Sequence, residues 1–378
     1  MTIIPEFGFN FWSILFYGFS LVALLQLLYV LFIYARLAFY KPKSEPQREE
    51  LPPVSVIIAA RNEADNLYNH LPILLEQDYP NYEVIVIVNQ SVDESKHILM
   101  AYQQHYPHLR LSIIEGNKHL RPGKKLSLSI GIKGAKHEHL VFTDADCRPQ
   151  NRDWLKSMAG KFSTKHQIVL GYAPYTKTKG LLNFLIRLDT LNIGINYLSF
   201  ALSQLPYMGV GRNMAYTKSA YQQANGFKSH YSLPSGDDDL FIQSAAKNKN
   251  YTINVDPVSY MPSPAQDTWE SWFRQKTRHY TTSGHYNVIK KTLLGIYPLT
   301  LILLVLSFII LLFDENYRWL SIIIFTVVYI VKWWIQGKCF ARLQETKWIY
   351  LFPFYDILYA FFSPVIFYFS DTNNTKRW

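Results

Sequence analysis

Apolar residues fall along this chain in two ways: long unbroken runs near both ends, and short runs between them that alternate with helix-spaced patterns. Between Phe9 and Ala35 the only strongly polar residues are Asn10 and Gln26, and the run exceeds the roughly 20 residues needed to cross a bilayer. Three further runs, Leu293 to Phe313, Trp319 to Ile335 and Ile349 to Phe369, follow towards the other end. The pattern predicts four membrane spans, the third short and holding Lys332 near its end. A cleaved signal peptide fits poorly, because Glu6 precedes the first run without any Lys or Arg and the run is longer than about 15 residues.

The middle of the chain reads differently. Val54 to Ala59 is an unbroken apolar run of the kind buried on both faces of a parallel sheet, and Ala64 to Gln77 has helical spacing in Leu67, Leu71 and Leu74. Tyr82 to Val88 repeats the strand pattern, a helical stretch starts at Asp93, and Leu111 to Ile114 is a third strand. Lys124 to Lys136 reads as another helix and Leu140 to Thr143 as a fourth strand. Alternating strands and helices predict an α/β domain, mostly parallel, with helices on both faces and ligands beyond the carboxyl ends of the strands. Leu181 to Phe200 is apolar but interrupted by Arg187, Asp189, Asn192 and Asn196; it is expected to lie on the membrane face as an interfacial helix rather than in the core. The expected organisation is a membrane helix within residues 1–40, a folded domain over 41–290 and about three membrane helices over 291–378. No internal repeat or low-complexity tract is present.

Charge gives the spans a direction. Arg36, Lys41, Lys43 and Arg48 follow the first run, Lys290 and Lys291 precede the second, and Lys338, Arg342 and Lys347 lie between the third and fourth. All three clusters fall on one side, which by the distribution of short-loop cations is the cytoplasm; Lys376 and Arg377 are a contrary signal. Much of the formal net charge of +10 therefore serves topology and attraction to anionic lipid headgroups, and nucleic acid is not an expected partner. Cys147 and Cys339 are the only cysteines, too few for a disulfide framework or a cysteine zinc site.

Candidate chemistry concentrates where the fourth strand ends, in VFTDADCRP. Side chains alternate along a strand, so Asp144 and Asp146 project to the same side and can share one cation. Mg²⁺ or Mn²⁺ prefers such carboxylates together with phosphate oxygens. The competing reading is an Asx turn that closes a strand. A second acidic group, SGDDDLF, holds Asp237 and Asp238; three adjacent acids repel, which raises one pKa towards a useful base, whereas a charged helix start explains them without chemistry.

Taken in order over roughly Val54 to Tyr286, these motifs resemble the membrane-anchored branch of the family-2 inverting glycosyltransferases of GT-A fold. VSVIIAARNE resembles their opening strand and nucleotide-binding turn, which implies donor contacts from Ala60, Arg61 and Glu63. EVIVIVNQSVDES resembles the second strand, with Asn89 where an Asp usually meets the base; an amide still bonds a pyrimidine edge but adds a donor and removes a charge. PGKKLSLSIG resembles the segment whose lysine approaches the donor, which implies that role for Lys124, with Lys125 its neighbour; the family's metal motif implies a donor contact from Asp144 as well. GVGRNMAY, with Gly211 and Asn213, resembles the segment shaping the acceptor pocket. Aligning SGDDDLF on Leu240 implies a catalytic base at Asp237, with Asp238 the alternative by one register. RQKTRH resembles a Gln-x-x-Arg-Trp motif and implies acceptor-side roles for Gln275, Arg278 and His279, the last replacing the usual Trp.

The resemblance implies a membrane enzyme, its catalytic domain at the cytoplasmic face of the cell membrane, that moves a sugar from a nucleotide-sugar donor, a UDP-sugar by first expectation, to a lipid or glycan hydroxyl. Mg²⁺ or Mn²⁺ on Asp144 and Asp146 is the implied cofactor. The alternatives are a processive polysaccharide synthase, a polyprenyl-phosphate sugar transferase, and an inactive scaffold that binds nucleotide sugar.

Overall fold

The computed structural model describes residues 10–42, 50–116 and 123–369; Lys43, Arg48, Lys376 and Arg377, used above for orientation, lie outside the described residues. The chain divides into two compact units, one built from the N-terminal helix and residues from Asn287 onward, the other from Pro42 to Tyr286.

In the first unit, α1 (Phe11–Tyr29) passes through a π-helical turn (Val30–Tyr34) into α2 (Ala35–Ala38). Asn10 caps the start: its side chain accepts from Ser13 N–H at 2.8 Å and Ser13 Oγ accepts from Asn10 N–H at 3.0 Å, which satisfies two amides otherwise orphaned at a helix end.

The second unit holds a seven-stranded sheet of order β3-β2-β1-β4-β6-β5-β7. Its strands are β1 (Val54–Ala60), β2 (Tyr82–Asn89), β3 (Leu109–Ile114), β4 (His139–Asp144), β5 (Ile168–Gly171), β6 (Met214–Thr217) and β7 (Tyr251–Asn254). β1 is buried along its whole length, as an unbroken apolar strand covered on both faces must be. Between β1 and β4 lie α3 (Ala64–Leu75), α4 (Ser95–Gln103) and α5 (Lys124–Gly134). Gly131 explains how closely α5 packs, since a Cβ there would sit 2.7 Å from side-chain carbons of both Ile57 and Ile87.

Register sets the site. Ala60 pairs with Val88 and Ala59 with Asp144, so β1, β2 and β4 end along one edge. β6 then departs from the parallel pattern: it runs antiparallel to both β4 and β5, with Met214 opposite Phe142. The residues just before β6, Gly211 to Asn213, are therefore delivered to the edge where Asp144 ends.

The rest of the unit comprises α6 (Trp154–Ala159), α7 (Leu181–Leu202), α8 (Lys218–Gln223), α9 (Asp239–Ala245) and α10 (Trp269–Ser283). α7 is the helix expected at the membrane face, and the structure corrects this. Ile186, Leu188, Leu191, Ile195, Tyr197, Leu198 and Phe200 are all buried, and only Leu181 and Phe184 among its large apolar residues are exposed. The polar interruptions are internal too, for Asp189 is buried in an ion pair with the equally buried Lys276 of α10.

The first unit is completed by α11 (Val288–Leu311), α12 (Arg318–Arg342) and α13 (Phe352–Phe369). Among the described residues, three helices are long and apolar enough to cross a membrane: Phe11–Ala38, counted through the π turn, Val288–Leu311 and Arg318–Arg342. The third is longer than its apolar core because Lys332 lies inside it and not near its end. α13 occupies the fourth expected span with 18 residues. α1 packs antiparallel to α11, with Phe19 against Phe308 and Gln26 Nε2 donating to Thr300 Oγ1 at 2.6 Å. Outward-facing Leu299, Leu303, Leu306 and Ile310 leave an apolar belt exposed, which suits hydrocarbon and not water.

Inside this bundle Lys332 Nζ lies 2.8 Å from Asp356 Oδ2, with both residues buried. Tyr297 Oη donates to Asp356 Oδ1 at 2.7 Å, and Lys332 Nζ sits 4.9 Å from the Tyr297 ring centre.

Candidate active site

The carboxyl edge of the sheet is laced together before any catalytic group is placed on it. Asn62 adopts a left-handed φ of 54°, which an Asn tolerates, and turns the chain after β1. Its N–H donates to Ser91 Oγ and its Oδ1 accepts from Val92 N–H, while Asp93 Oδ2 accepts from Ala64 N–H at 2.9 Å. Burial pushes the Asp93 carboxyl up, but bonds from Ser95 and Ala64 outweigh it and hold its pKa below the ordinary range. The turns after β1 and β2 thus form one surface with Glu63 on it.

At the centre is Lys124, the first residue of α5. Its Nζ is 2.6 Å from Asp144 Oδ1 and 3.7 Å from Asp237 Oδ2; Asp237 is buried, while Lys124 and Asp144 are half-buried. Burial alone would lower the lysine's pKa; Asp144 and then Asp237 and Asp238 outweigh it, so its pKa is raised and the charge retained. Gly211 closes the cluster. A Cβ on it would lie 3.4 Å from both Lys124 Nζ and Asp237 Oδ2, and its N–H donates to Asp238 Oδ2 at 3.1 Å. Two acids separated by 93 positions in sequence are therefore joined by one cation.

The acids behave differently. Asp238 is pushed up to about 7, first by burial and then by Asp237 and Asp239. Asp239 is raised by burial, its Oδ2 accepting hydrogen bonds from Thr282 Oγ1 and from Tyr286 Oη at 2.7 Å. On the other side of Asp144, Asp146 is raised by burial and then by Asp144, with Arg212 opposing. Glu63 is raised by burial and further by Asp146 and Asp144, so it faces the same acidic pair.

Asp144 and Asp146 fit a hard divalent cation in one specific way. Among the described residues no group of three His, Cys, Asp or Glu side chains could hold a metal; Asp144 and Asp146 alone would offer two carboxylates. That donor set suits Mg²⁺ or Mn²⁺, which bind through one or two carboxylates and complete their shell with phosphate oxygens and water.

The structure brings together Glu63, Lys124, Asp144, Asp146, Gly211, Asp237 and Asp238. The other expected residues have these surroundings. Asn89, expected on the donor base, is fully buried, and its Nδ2 donates to Gly123 O at 3.2 Å and Ser127 Oγ at 2.9 Å; it braces the start of α5. Asn213, expected on the acceptor, is also fully buried. Its Nδ2 donates at 2.8 Å to Tyr172 O and to Ser259 O, and its Oδ1 accepts from Trp154 Nε1 at 3.1 Å, so the amide is committed to the core. Ala60 is buried in the sheet, and Arg61 is half-buried on the turn after it. On α10, Gln275 Nε2 donates to Tyr175 Oη at 3.2 Å and Arg278 is half-buried; His279 keeps surface exposed, yet desolvation and the nearby Arg278, Lys276, Arg212 and Lys124 hold its pKa down, so it lies towards the site's cations.

Three residues within the quoted motifs went unassigned. Arg212 lies with its guanidinium carbon 4.4 Å from the centre of the Tyr175 ring and donates to Ala173 O at 2.7 Å. It is the cation that opposes the raised pKa of Asp146. Lys125 and Asp239 were the others. Each sits beside a residue that was assigned, and only the fold shows that they turn a different way.

An open mixed sheet whose carboxyl edge carries paired acids and a half-buried lysine defines the nucleotide-sugar-binding GT-A class. The chain belongs to glycosyl transferase family 21, whose family pattern it matches over residues 16–378. It is 25% identical over 258 residues to a probable glycosyltransferase, YdaM, of Bacillus subtilis, covering 66% of this chain and 59% of that one. It is 34% identical over 133 residues to the glycosyltransferase AglE of Haloferax volcanii, covering 34% of this chain and 42% of that one. The chain thus spans less than two thirds of the length of these relatives. Among solved structures, the mannosyltransferase PcManGT of Pyrobaculum calidifontis, in complex with GDP-Man and Mn²⁺, superposes with a TM-score of 0.54 at 17% identity, covering 89% of this chain and 99% of that one. That likeness establishes the fold.

Proposed function

We propose that the chain is a membrane-bound, metal-dependent inverting glycosyltransferase that passes a sugar from a nucleotide diphosphate sugar to a hydroxyl on a lipid or glycan. The observation that carries this reading is Lys124 held between Asp144 and Asp237, because single displacement needs a charge-stabilising group on the leaving side and a base on the attacking side within one sugar's reach. Mg²⁺ or Mn²⁺ held by Asp144 and Asp146 would supply neutralisation of diphosphate charge; Mn²⁺ in the mannosyltransferase complex supports this. Lys124 adds a fixed positive charge beside the diphosphate. Asp237 Oδ2 faces that lysine and takes the acceptor proton as the acceptor oxygen attacks the anomeric carbon.

Asp238 has a pKa of about 7, a value suited to a general base. Its two oxygens, however, already accept from Gly211 N–H and Asp239 N–H, which favours Asp237. The basic ends of the bundle support the proposed orientation. α1 and α11 are antiparallel, so Arg36 shares an end with Lys290 and Lys291, and α12 returns to it with Lys338 and Arg342; that end faces the cytoplasm.

The test is donor affinity and transfer rate in Asp237→Asn and Asp238→Asn, with nucleotide sugars screened against total membrane lipid by mass spectrometry. Asp237→Asn is expected to keep donor affinity and lose roughly two to four powers of ten in rate. Parallel loss of donor affinity would place Asp237 on the nucleotide side and overturn the assignment, and turnover in no pairing would favour a nucleotide-sugar-binding scaffold.

A further inference from the structure

Lys124 and Lys125 open the same helix and take opposite duties. Successive residues of a helix point about 100° apart, so while Lys124 enters the acidic cluster, Lys125 turns towards the segment that precedes Asp237. It is 5% exposed. Its Nζ donates to His230 O at 2.5 Å and to Leu233 O at 2.9 Å. No ion pair to Lys125 is formed among the described residues; the ammonium is held on two backbone carbonyls. An ammonium buried without a bonded carboxylate is costly, and burial lowers its pKa although Asp237, Asp239 and Asp238 oppose that.

The segment it holds has little regular structure of its own. Between the 3₁₀ turn at Lys228–His230 and the start of α9 at Asp239 there is no helix or strand. Gly236 sits at φ 107°, a backbone conformation other residues avoid, and delivers the chain to Asp237. The far side is fixed by Asp239, which Thr282 and Tyr286 hold. The near side is fixed by Lys125.

We infer that Lys125 is a positioning residue for the catalytic base: it ties the base-bearing loop to the helix that presents Lys124, so one turn of α5 sets donor cation and acceptor base in a single frame. This rests on the proposed transferase reading. A displacement of about 1 Å at a reacting group costs on the order of 10²-fold in rate, which is the scale of effect expected when the tether is lost.

The experiment compares Lys125→Arg, Lys125→Gln and Lys125→Met in the full chain. Donor affinity is read with UDP and GDP and their sugars, transfer rate with total membrane lipid as acceptor, and backbone hydrogen exchange over residues 231–236. Rates should fall in the order Arg, Gln, Met, with Met down roughly 10- to 100-fold, while nucleotide affinity stays within about threefold of wild type. Exchange over 231–236 should quicken in the same order and stay unchanged in α3. Wild-type rate with unchanged exchange in Lys125→Met overturns the inference, as does a loss of nucleotide affinity that matches the loss of rate. If Lys125→Met does not fold, the Arg and Gln pair decides by the same split. An inactive wild type would count against the transferase reading instead, and the exchange measurement would still judge the tether.

Discussion

Lys332 and Asp356 offer a test of the membrane bundle whose size follows from the structure. The pair is buried inside apolar helices, at 2.8 Å, with Tyr297 Oη completing the carboxylate's shell. Replacing Lys332 with Met leaves a carboxylate in a low-dielectric interior with only tyrosine hydroxyls, Tyr297 and Tyr329, for company, at a cost of about 3–5 kcal/mol. Asp356→Leu strands the ammonium between two tyrosine rings at a similar cost. Removing both charges removes the reason for either penalty, so Lys332→Met with Asp356→Leu should lie within about 1 kcal/mol of wild type, or above it once Tyr297→Phe removes the hydroxyl left unpaired. At roughly 2–4 °C per kcal/mol for a unit of this size, each single variant should melt about 10–15 °C lower and the double variant nearly as wild type. Detergent-solubilised protein followed by thermal unfolding of the full double-mutant cycle measures this. If the single variants are harmless, or the double is as damaged as their sum, the charges are hydrated or act independently, and the picture of a dry clasp is wrong.

Four further outcomes are expected. Asp146→Asn should abolish transfer with little loss of stability and Asp144→Asn should harm it less, with chelator removing wild-type activity and Mn²⁺ or Mg²⁺ restoring it; full Asp146→Asn activity in chelator would sink the metal assignment. Gly211→Ala should fold and lose no more than a few-fold in transfer, since its Cβ would meet Lys124 Nζ and Asp237 Oδ2 at 3.4 Å, the edge of ordinary contact, as steady-state rates will show. Cysteines placed between Asp314 and Arg318 should react with an impermeant reagent on intact cells, and those between Lys338 and Lys347 only after the membrane is opened. Finally, Asp238 binds a proton in the folded chain up to about pH 7, whereas an unfolded Asp releases it near pH 4. The native state therefore holds the extra proton in that window, and unfolding free energy should fall as pH rises from about 4 to 7; Asp238→Asn should flatten that slope in denaturant titrations.

How much of this could be read from sequence depended on how far each residue's partner lies. β1, β2 and β4 were legible because burial on both faces writes an unbroken apolar run. β5, β6 and β7 have four residues each, too few to show a period, and the antiparallel turn of β6 that delivers Gly211 to the site left no local mark. α7 was misjudged because Asp189 looked like a solvent-facing charge, when its partner Lys276 lies far along the chain. Asn89 and Asn213 were expected at the ligands from the resemblance of their segments. Their amides donate to Gly123 and Ser127, or to Tyr172 and Ser259, contacts that exist only after folding. The acids and Lys124 were singled out because their proposed chemistry requires particular residue types, and a motif records type even where it conceals direction.

A tether that ends on main-chain carbonyls is blind to the letters of the segment it holds. Lys125 grips oxygens that every amino acid carries, so Tyr231, Ser232, Pro234 and Ser235 are free to diverge without loosening the hold. On the proposed reading this loop lies beside the attacking hydroxyl, and it can therefore be rewritten to suit a new recipient while the carboxylate at its end stays put. Grafted loops of equal length should be tolerated here far better than changes to Lys125 itself, which makes this short stretch the natural place to begin redirecting the enzyme.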